Sequence, residues 1–204
     1  MKHLMIDLET MGTKSNAAIV SIGAVFFEEG KGLGEEFYAR INLQSAVDYG
    51  GIIDPSTIIW WLQQSEEARK EIYSPEETYS IQGALELFSN YAGQYRESKL
   101  ECVWGNGADF DNIILGSAYE RIGQKKPWSY AQNRCYRTLK DLFRGPIIWD
   151  KREGVHHNAL DDAKYQAKHA LRMLEVYNTL PEITYLKEEL REAEKYIEAL
   201  QETR

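Results

Sequence analysis

Cysteine, long apolar runs and positive charge are all scarce in this chain, and each scarcity removes a class of protein. Two cysteines in 204 residues, Cys102 and Cys135, are too few for a disulfide framework and lack the paired spacing of a thiolate metal site. Both read as buried thiols in a reducing compartment. No apolar run approaches the roughly eighteen residues of a membrane span, so no membrane partner is expected. Asp7 and Glu9 interrupt the first apolar stretch before a signal-peptide core forms. The expected setting is therefore the cytoplasm, bacterial or of a phage-infected host. Lys and Arg total 24 against 32 Asp and Glu, a net charge of −8, which excludes coating nucleic acid through bulk positive charge. A phosphate-bearing substrate then needs a local offset, and divalent cations held by clustered carboxylates supply one. Internal repeats and low-complexity segments are also missing.

What is present is ordinary for a folded domain: 43 % apolar and 27 % charged residues, in a length that fits one domain with a modest appendage. Residues 2–9 and 19–27 read as strands rich in apolar and β-branched residues, 28–36 as a hairpin loop, and 37–41 as a third strand. Asp54-Pro55 signals a helix carrying IIWWLQQ. Ser65 and the stretch Ser74-Pro75-Glu76-Glu77 resemble further N-caps, with a helix near 80–96 to follow. LECVWGN at 100–106 reads as a strand, 108–123 as a helix, and NRCYRTL at 133–139 as a last strand. Residues 157–178 read as a helix that Pro181 breaks before another from about 182 to 202. The division expected is a domain over 1–178 and a helical extension over 179–204, in a mixed α/β class.

Three groups of acids carry the chemistry. Asp7 and Glu9 stand two apart on the first strand and share one face. On a central strand such a pair needs neutralising, and hard divalent cations with oxygen ligands do that. Asp109 and Asp111 open the helix after WGNG, and spacing alone does not choose between them. His157 precedes Asp162 by five residues at a helix start, so both reach one cavity, while Asp161 points about 100° away. HHNALDD also permits a pairing of His156 with Asp161. Four acids and a group that titrates near neutrality, from three segments, describe a hydrolytic site for phosphodiesters.

With DLETMG at 7–12, FD at 110–111 and HNALDDA at 157–163 in that order, the chain resembles the DEDDh (DnaQ-like) 3′-to-5′ exonucleases. IIWWLQQSEEAR at 58–69 resembles more narrowly the branch of phage exonuclease A and the exonuclease-VIII-like exoribonucleases. The resemblance implies a ribonuclease-H-like fold, a five-stranded mixed sheet flanked by helices, to which this chain adds a C-terminal helix. It implies Asp7, Glu9, Asp111 and Asp162 as ligands of two Mg²⁺ or Mn²⁺ ions and His157 as general base, with Asp109 a bystander. It implies removal of 5′-mononucleotides from the 3′ ends of single-stranded RNA or DNA. Thr10, Met11, Gly12, Trp61 and Asn106 are the expected substrate contacts. Trp60 and Trp61 offer a stacking surface, and Lys14, Arg134 or Arg137 offer phosphate contacts. Gly105 stands where the family often has histidine, and Arg137 where it often has aspartate. A catalytically silent binding partner and a small-molecule nucleotide phosphodiesterase are the alternatives. Leu186, Leu190, Ala193, Ile197 and Leu200 form a seam over two heptads, which suits either packing on the domain or a homodimer.

Overall fold

The computed structural model describes residues 2–73, 78–94, 100–143 and 151–202. Strands β1 (His3–Thr10), β2 (Ile19–Glu28) and β3 (Gly32–Arg40) form an antiparallel meander. Helices α1 (Leu43–Asp48), α2 (Pro55–Leu62), α3 (Glu66–Tyr73) and α4 (Ile81–Gly93) follow. Then β4 (Cys102–Gly105), α5 (Asp111–Arg121), β5 (Asn133–Cys135), α6 (Tyr136–Leu142) and α7 (Ala159–Glu202) complete the chain. The sheet order is β3-β2-β1-β4-β5, with β4 and β5 parallel to β1 and only β2 opposed. This is the five-stranded mixed sheet flanked by helices expected of a ribonuclease-H-like domain.

β1 is the central strand and all eight of its residues are buried. Its alternation sorts them between two layers. Leu4, Ile6 and Leu8 join Ile22, Phe26, Leu85, Phe88, Ile114 and Leu115 in the layer under α4 and α5. Met5 joins Val25, Phe27, Trp104, Tyr136, Ala163, Ala167 and Ala170 in the layer under α6 and α7. Asp7 and Glu9 share the parity of Met5, so they emerge on the α7 side. Alanines at 163, 167 and 170 let α7 lie close on the sheet. The closest approach is at Gly23, the register partner of Asp7, where a Cβ would overlap the Ala159 carbonyl carbon and oxygen. Absence of a side chain at Gly23 therefore seats the first turn of α7 over Asp7.

Several sequence expectations need correcting. β3 begins at Gly32 rather than 37, because the hairpin closes over a short turn around Gly30 (φ 74°). NRCYRTL is a strand for three residues only: Cys135 then caps α6, its Sγ accepting from the Thr138 amide at 3.4 Å. α1 is short, capped by Asn42 Oδ1 accepting from the Ser45 amide at 3.0 Å, and periodicity had not singled it out. α7 runs through position 181 unbroken. The residue whose carbonyl loses its donor there, Tyr177, is exposed, so the missing bond costs less than it would in a buried helix. The helix thus crosses the expected boundary at 178/179. Its packed residues run from Ala159 to Leu174, while Tyr185, Leu186 and Leu190 are exposed. Both cysteines are half-buried rather than buried. The Ser74–Glu77 capping signal and the last residues of the helix expected over 80–96 lie outside the described residues. The other expected caps hold: Asp54 accepts from the Ser56 amide at 2.9 Å, and Ser65 Oγ from the Ala68 amide at 3.2 Å.

Gly23→Ala should push the first turn of α7 off the sheet. The expected loss is about 2–4 kcal/mol of unfolding free energy, well above the usual penalty for one added methyl group. Denaturant melts would measure it, and an unchanged midpoint would show that α7 does not depend on this contact.

Candidate active site

Asp7 and Glu9 from β1 and Asp162 from the first turn of α7 converge, each offering a carboxylate oxygen within 4.8 Å of the others. All three are buried and line one cavity of about 850 Å³. His157 lines it too, its Nδ1 at 3.9 Å from Glu9 Oε1. His157 is the only described non-glycine residue with positive φ (67°). That turn lets its backbone amide donate to Asp162 Oδ2 at 3.2 Å while its ring reaches over Glu9. Asp162 Oδ1 meets the Arg152 guanidinium.

Asp111 stands behind this group rather than in the cavity wall. Its oxygens accept from the amides of Leu8 at 3.1 Å and Asn106 at 2.6 Å, so β1 and the turn after β4 hold it. Gly105 is what lets α5 come so close. A Cβ there would lie 2.9 Å from both Asp111 Cβ and Asn112 Oδ1. Asp109 does not join the acids lining the cavity. Asp161 turns the other way: it accepts from the Val155 amide at 2.8 Å and lines a second, small cavity. The alternative pairing of His156 with Asp161 is therefore not formed. His156 lies against the His157 ring, 3.9 Å between centroids, within the main cavity.

Of the expected substrate contacts, Thr10, Gly12 and Asn106 line the cavity. Met11 and Trp61 do not, because both are packed in the core. Trp61 instead braces the site from below, its Nε1 donating to the Thr10 carbonyl at 3.0 Å. The aromatic surface offered is Trp60, 40 % exposed and edge-on to His157 at 4.8 Å. Arg137 lines the cavity and donates to the Asn106 carbonyl at 2.8 Å, while Arg134 is taken up by the carbonyls of Ala131 and Asn133. Lys140 and Arg152 complete the basic wall, and sequence reasoning had not singled them out. It also missed Gln166, whose Nε2 donates to Asp7 Oδ1 at 2.6 Å. The signal was available, since Gln166 follows Asp162 by four residues and so shares its helix face.

Burial and mutual repulsion dominate the electrostatics. Asp7 is pushed well above the usual carboxyl range by burial, then by the charges of Asp111 and Glu9. Glu9 is raised to about 8 by burial and by Glu71, and Asp111 to about 6 by burial against the pull of its two amides. Burial lowers His157 to about 4, helped by His156 and Arg152. Three buried acids within one cluster fit a hard divalent cation, whose charge would offset the burial and repulsion that raise Asp7 and Glu9.

The sequence profile of the 3′-5′ exoribonuclease Rv2179c-like domain matches residues 2–174. An exodeoxyribonuclease of Enterobacteria phage T4 is 28 % identical over 123 residues, covering 56 % of this chain. This chain spans about half the length of that relative, 54 %. The nuclease domain of 3′hExo, a DEDDh family member solved bound to rAMP, overlays with a TM-score of 0.49 at 15 % identity. The overlay covers 85 % of this chain and 91 % of that one.

Because Glu9 near 8 retains its proton at neutral pH, a cation entering the cluster must displace it. Mn²⁺ binding at pH 7 should release protons, and its affinity should rise from pH 6 to 8.5. Calorimetry in buffers of different ionisation enthalpy reads both quantities. An affinity independent of pH, without proton release, would contradict the raised acids.

Proposed function

The chain belongs to the 3′-5′ exoribonuclease Rv2179c-like domain family, and on that premise we propose that it is a metal-dependent 3′-to-5′ exonuclease. It hydrolyses the phosphodiester at the 3′ end of single-stranded RNA or DNA and releases 5′-mononucleotides. The observation that carries the reading is the buried cluster of Asp7, Glu9 and Asp162 beside His157 in one cavity. Both polymers stay in view because the family is described by an exoribonuclease and the phage relative is an exodeoxyribonuclease.

Asp7, Glu9 and Asp162 would hold Mg²⁺ or Mn²⁺, two ions in this reading, with Asp111 adding its charge from behind Asp7, and these ions would stabilise charge developing on the phosphate oxygens. The protein's own groups divide the remaining work. Gln166 fixes the orientation of Asp7 through its 2.6 Å hydrogen bond. His157, kept neutral above about pH 4 by burial, accepts the proton of the attacking water. Trp60 offers its exposed face to the terminal base, where stacking contributes about 1–3 kcal/mol. Arg137 and Lys140, which line the same cavity, meet the phosphate backbone. Arg152, which is paired with Asp162, would yield that carboxylate to the ions. The exposed Leu186 and Leu190 on the heptad seam of α7 would meet a second copy of the chain in a homodimer.

The decisive assay follows 5′-labelled single-stranded RNA and matched DNA with Mg²⁺, Mn²⁺ or EDTA. The intact chain should give a metal-dependent ladder shortening from the 3′ end, and the shorter-lived polymer is the preferred substrate. His157→Ala should slow it about 10²–10⁴-fold, as expected for loss of a general base, and Asp7→Ala should abolish it. Cleavage of a mononucleotide ester but no oligomer would favour the small-molecule alternative. Binding without cleavage would favour the silent partner.

A further inference from the structure

Glu71 is a buried acid that the chemistry above does not use. It sits in the last turn of α3, and its backbone is tied to β3 by Arg40, whose Nη2 donates to the carbonyls of Lys70 and Glu71 at 2.8 and 3.1 Å. Its carboxylate collects three neutral donors. Oε2 accepts from Ser21 Oγ at 2.8 Å and from the Tyr38 hydroxyl at 2.7 Å. Oε1 accepts from Asn158 Nδ2 at 2.5 Å. Ser21 is the register partner of Glu9, so this acid lies behind the site on the β2 side.

Asn158 is the residue through which Glu71 reaches the site. It follows His157 directly and caps α7: its Oδ1 accepts from the Asp161 amide at 3.1 Å and its carbonyl from the Asp162 amide at 2.9 Å. An asparagine whose carboxamide oxygen caps a helix has its NH₂ left to place, and Glu71 takes it. Both ends of that carboxamide are then fixed. The neighbouring His157 occupies the left-handed region at φ 67°, a conformation that a non-glycine residue keeps only where its surroundings impose it. Asp162 has independent support, because it lies inside the helix whose first turn is seated on Gly23.

We propose that Glu71 is a positioning residue: by holding the Asn158 carboxamide it keeps His157 in its left-handed turn and its ring over Glu9. The negative charge this places near Glu9 is tolerated because three short, directed hydrogen bonds satisfy it. The kinetic part rests on the nuclease reading above, whereas the structural part does not.

Glu71→Gln keeps the shape but presents an NH₂ to one set of donors. Hydrogen exchange by mass spectrometry should show the amides of residues 157–162 exchanging at least several-fold faster, with β2, β3 and α3 unchanged. The kcat on the preferred oligonucleotide should fall about 10–100-fold with KM within twofold, while Mn²⁺ affinity at pH 7 should not weaken, because removing the Glu71 charge lowers the Glu9 carboxyl. In a His157→Ala background the same substitution should leave the residual rate within twofold. Asn158→Ala should reproduce the effect, and the double variant should be no worse than the more damaging single one. An equal fall in the His157→Ala background, general loosening of α3 and the sheet, or unchanged kcat and exchange would overturn the proposal. If Glu71→Gln does not fold, Asn158→Ala tests the same link from the other side. Should the intact chain hydrolyse nothing, the nuclease reading fails while exchange still decides whether Glu71 orders residues 157–162.

Discussion

Everything about this site follows from burying like charges together. Asp7, Glu9 and Asp162 share a cluster with oxygens within 4.8 Å of one another, and Asp111 adds its field from behind. Carboxyl groups so placed are costly to ionise, and the raised pKa values of Asp7, Glu9 and Asp111 express that cost. The cluster is assembled by the scaffold, against its own repulsion. β1 is central, so its polar residues are forced to the α7 side. Gly23 leaves the gap into which α7 settles, and the amides of Leu8 and Asn106 clamp Asp111. The Arg152 guanidinium meets part of this charge at Asp162.

Burial also sets the histidine. An imidazole beside three acids would ordinarily be drawn toward protonation, yet burial, with smaller contributions from His156 and Arg152, drives His157 downward to about 4. The ring is held by geometry rather than by an ion pair: 3.9 Å from Glu9, edge-on to Trp60, and set by a left-handed turn that Asn158 and Glu71 support from outside the cavity. Two adjacent tryptophans show how far a shared sequence signal divides in space. Trp61 holds the backbone at Thr10, and Trp60 faces the cavity.

What the sequence made legible were features encoded by short-range rules. Alternation put Asp7 and Glu9 on one face, Asp54 and Ser65 announced their helices, and helical spacing separated Asp161 from Asp162. What stayed hidden depends on long-range contact. Nothing local says that Met11 and Trp61 turn into the core, that Gly23 is bare because a helix lies on it, or that Glu71 reaches Asn158 across 87 positions. The break expected at Pro181 is missing because its cost depends on burial, and Tyr177 one turn earlier is in water. Choosing Asp111 over Asp109 rested on resemblance, and the clamp by two amides supplies the physical reason that spacing lacked.

The central claim is that this buried acid cluster is a cation site, and anomalous diffraction from crystals soaked in Mn²⁺ tests it most directly. The account predicts Mn²⁺ density between Asp7, Glu9 and Asp162, with the Arg152 guanidinium withdrawn from Asp162. Mn²⁺ absent from the cluster at millimolar concentration, with Arg152 still paired to Asp162, would contradict it.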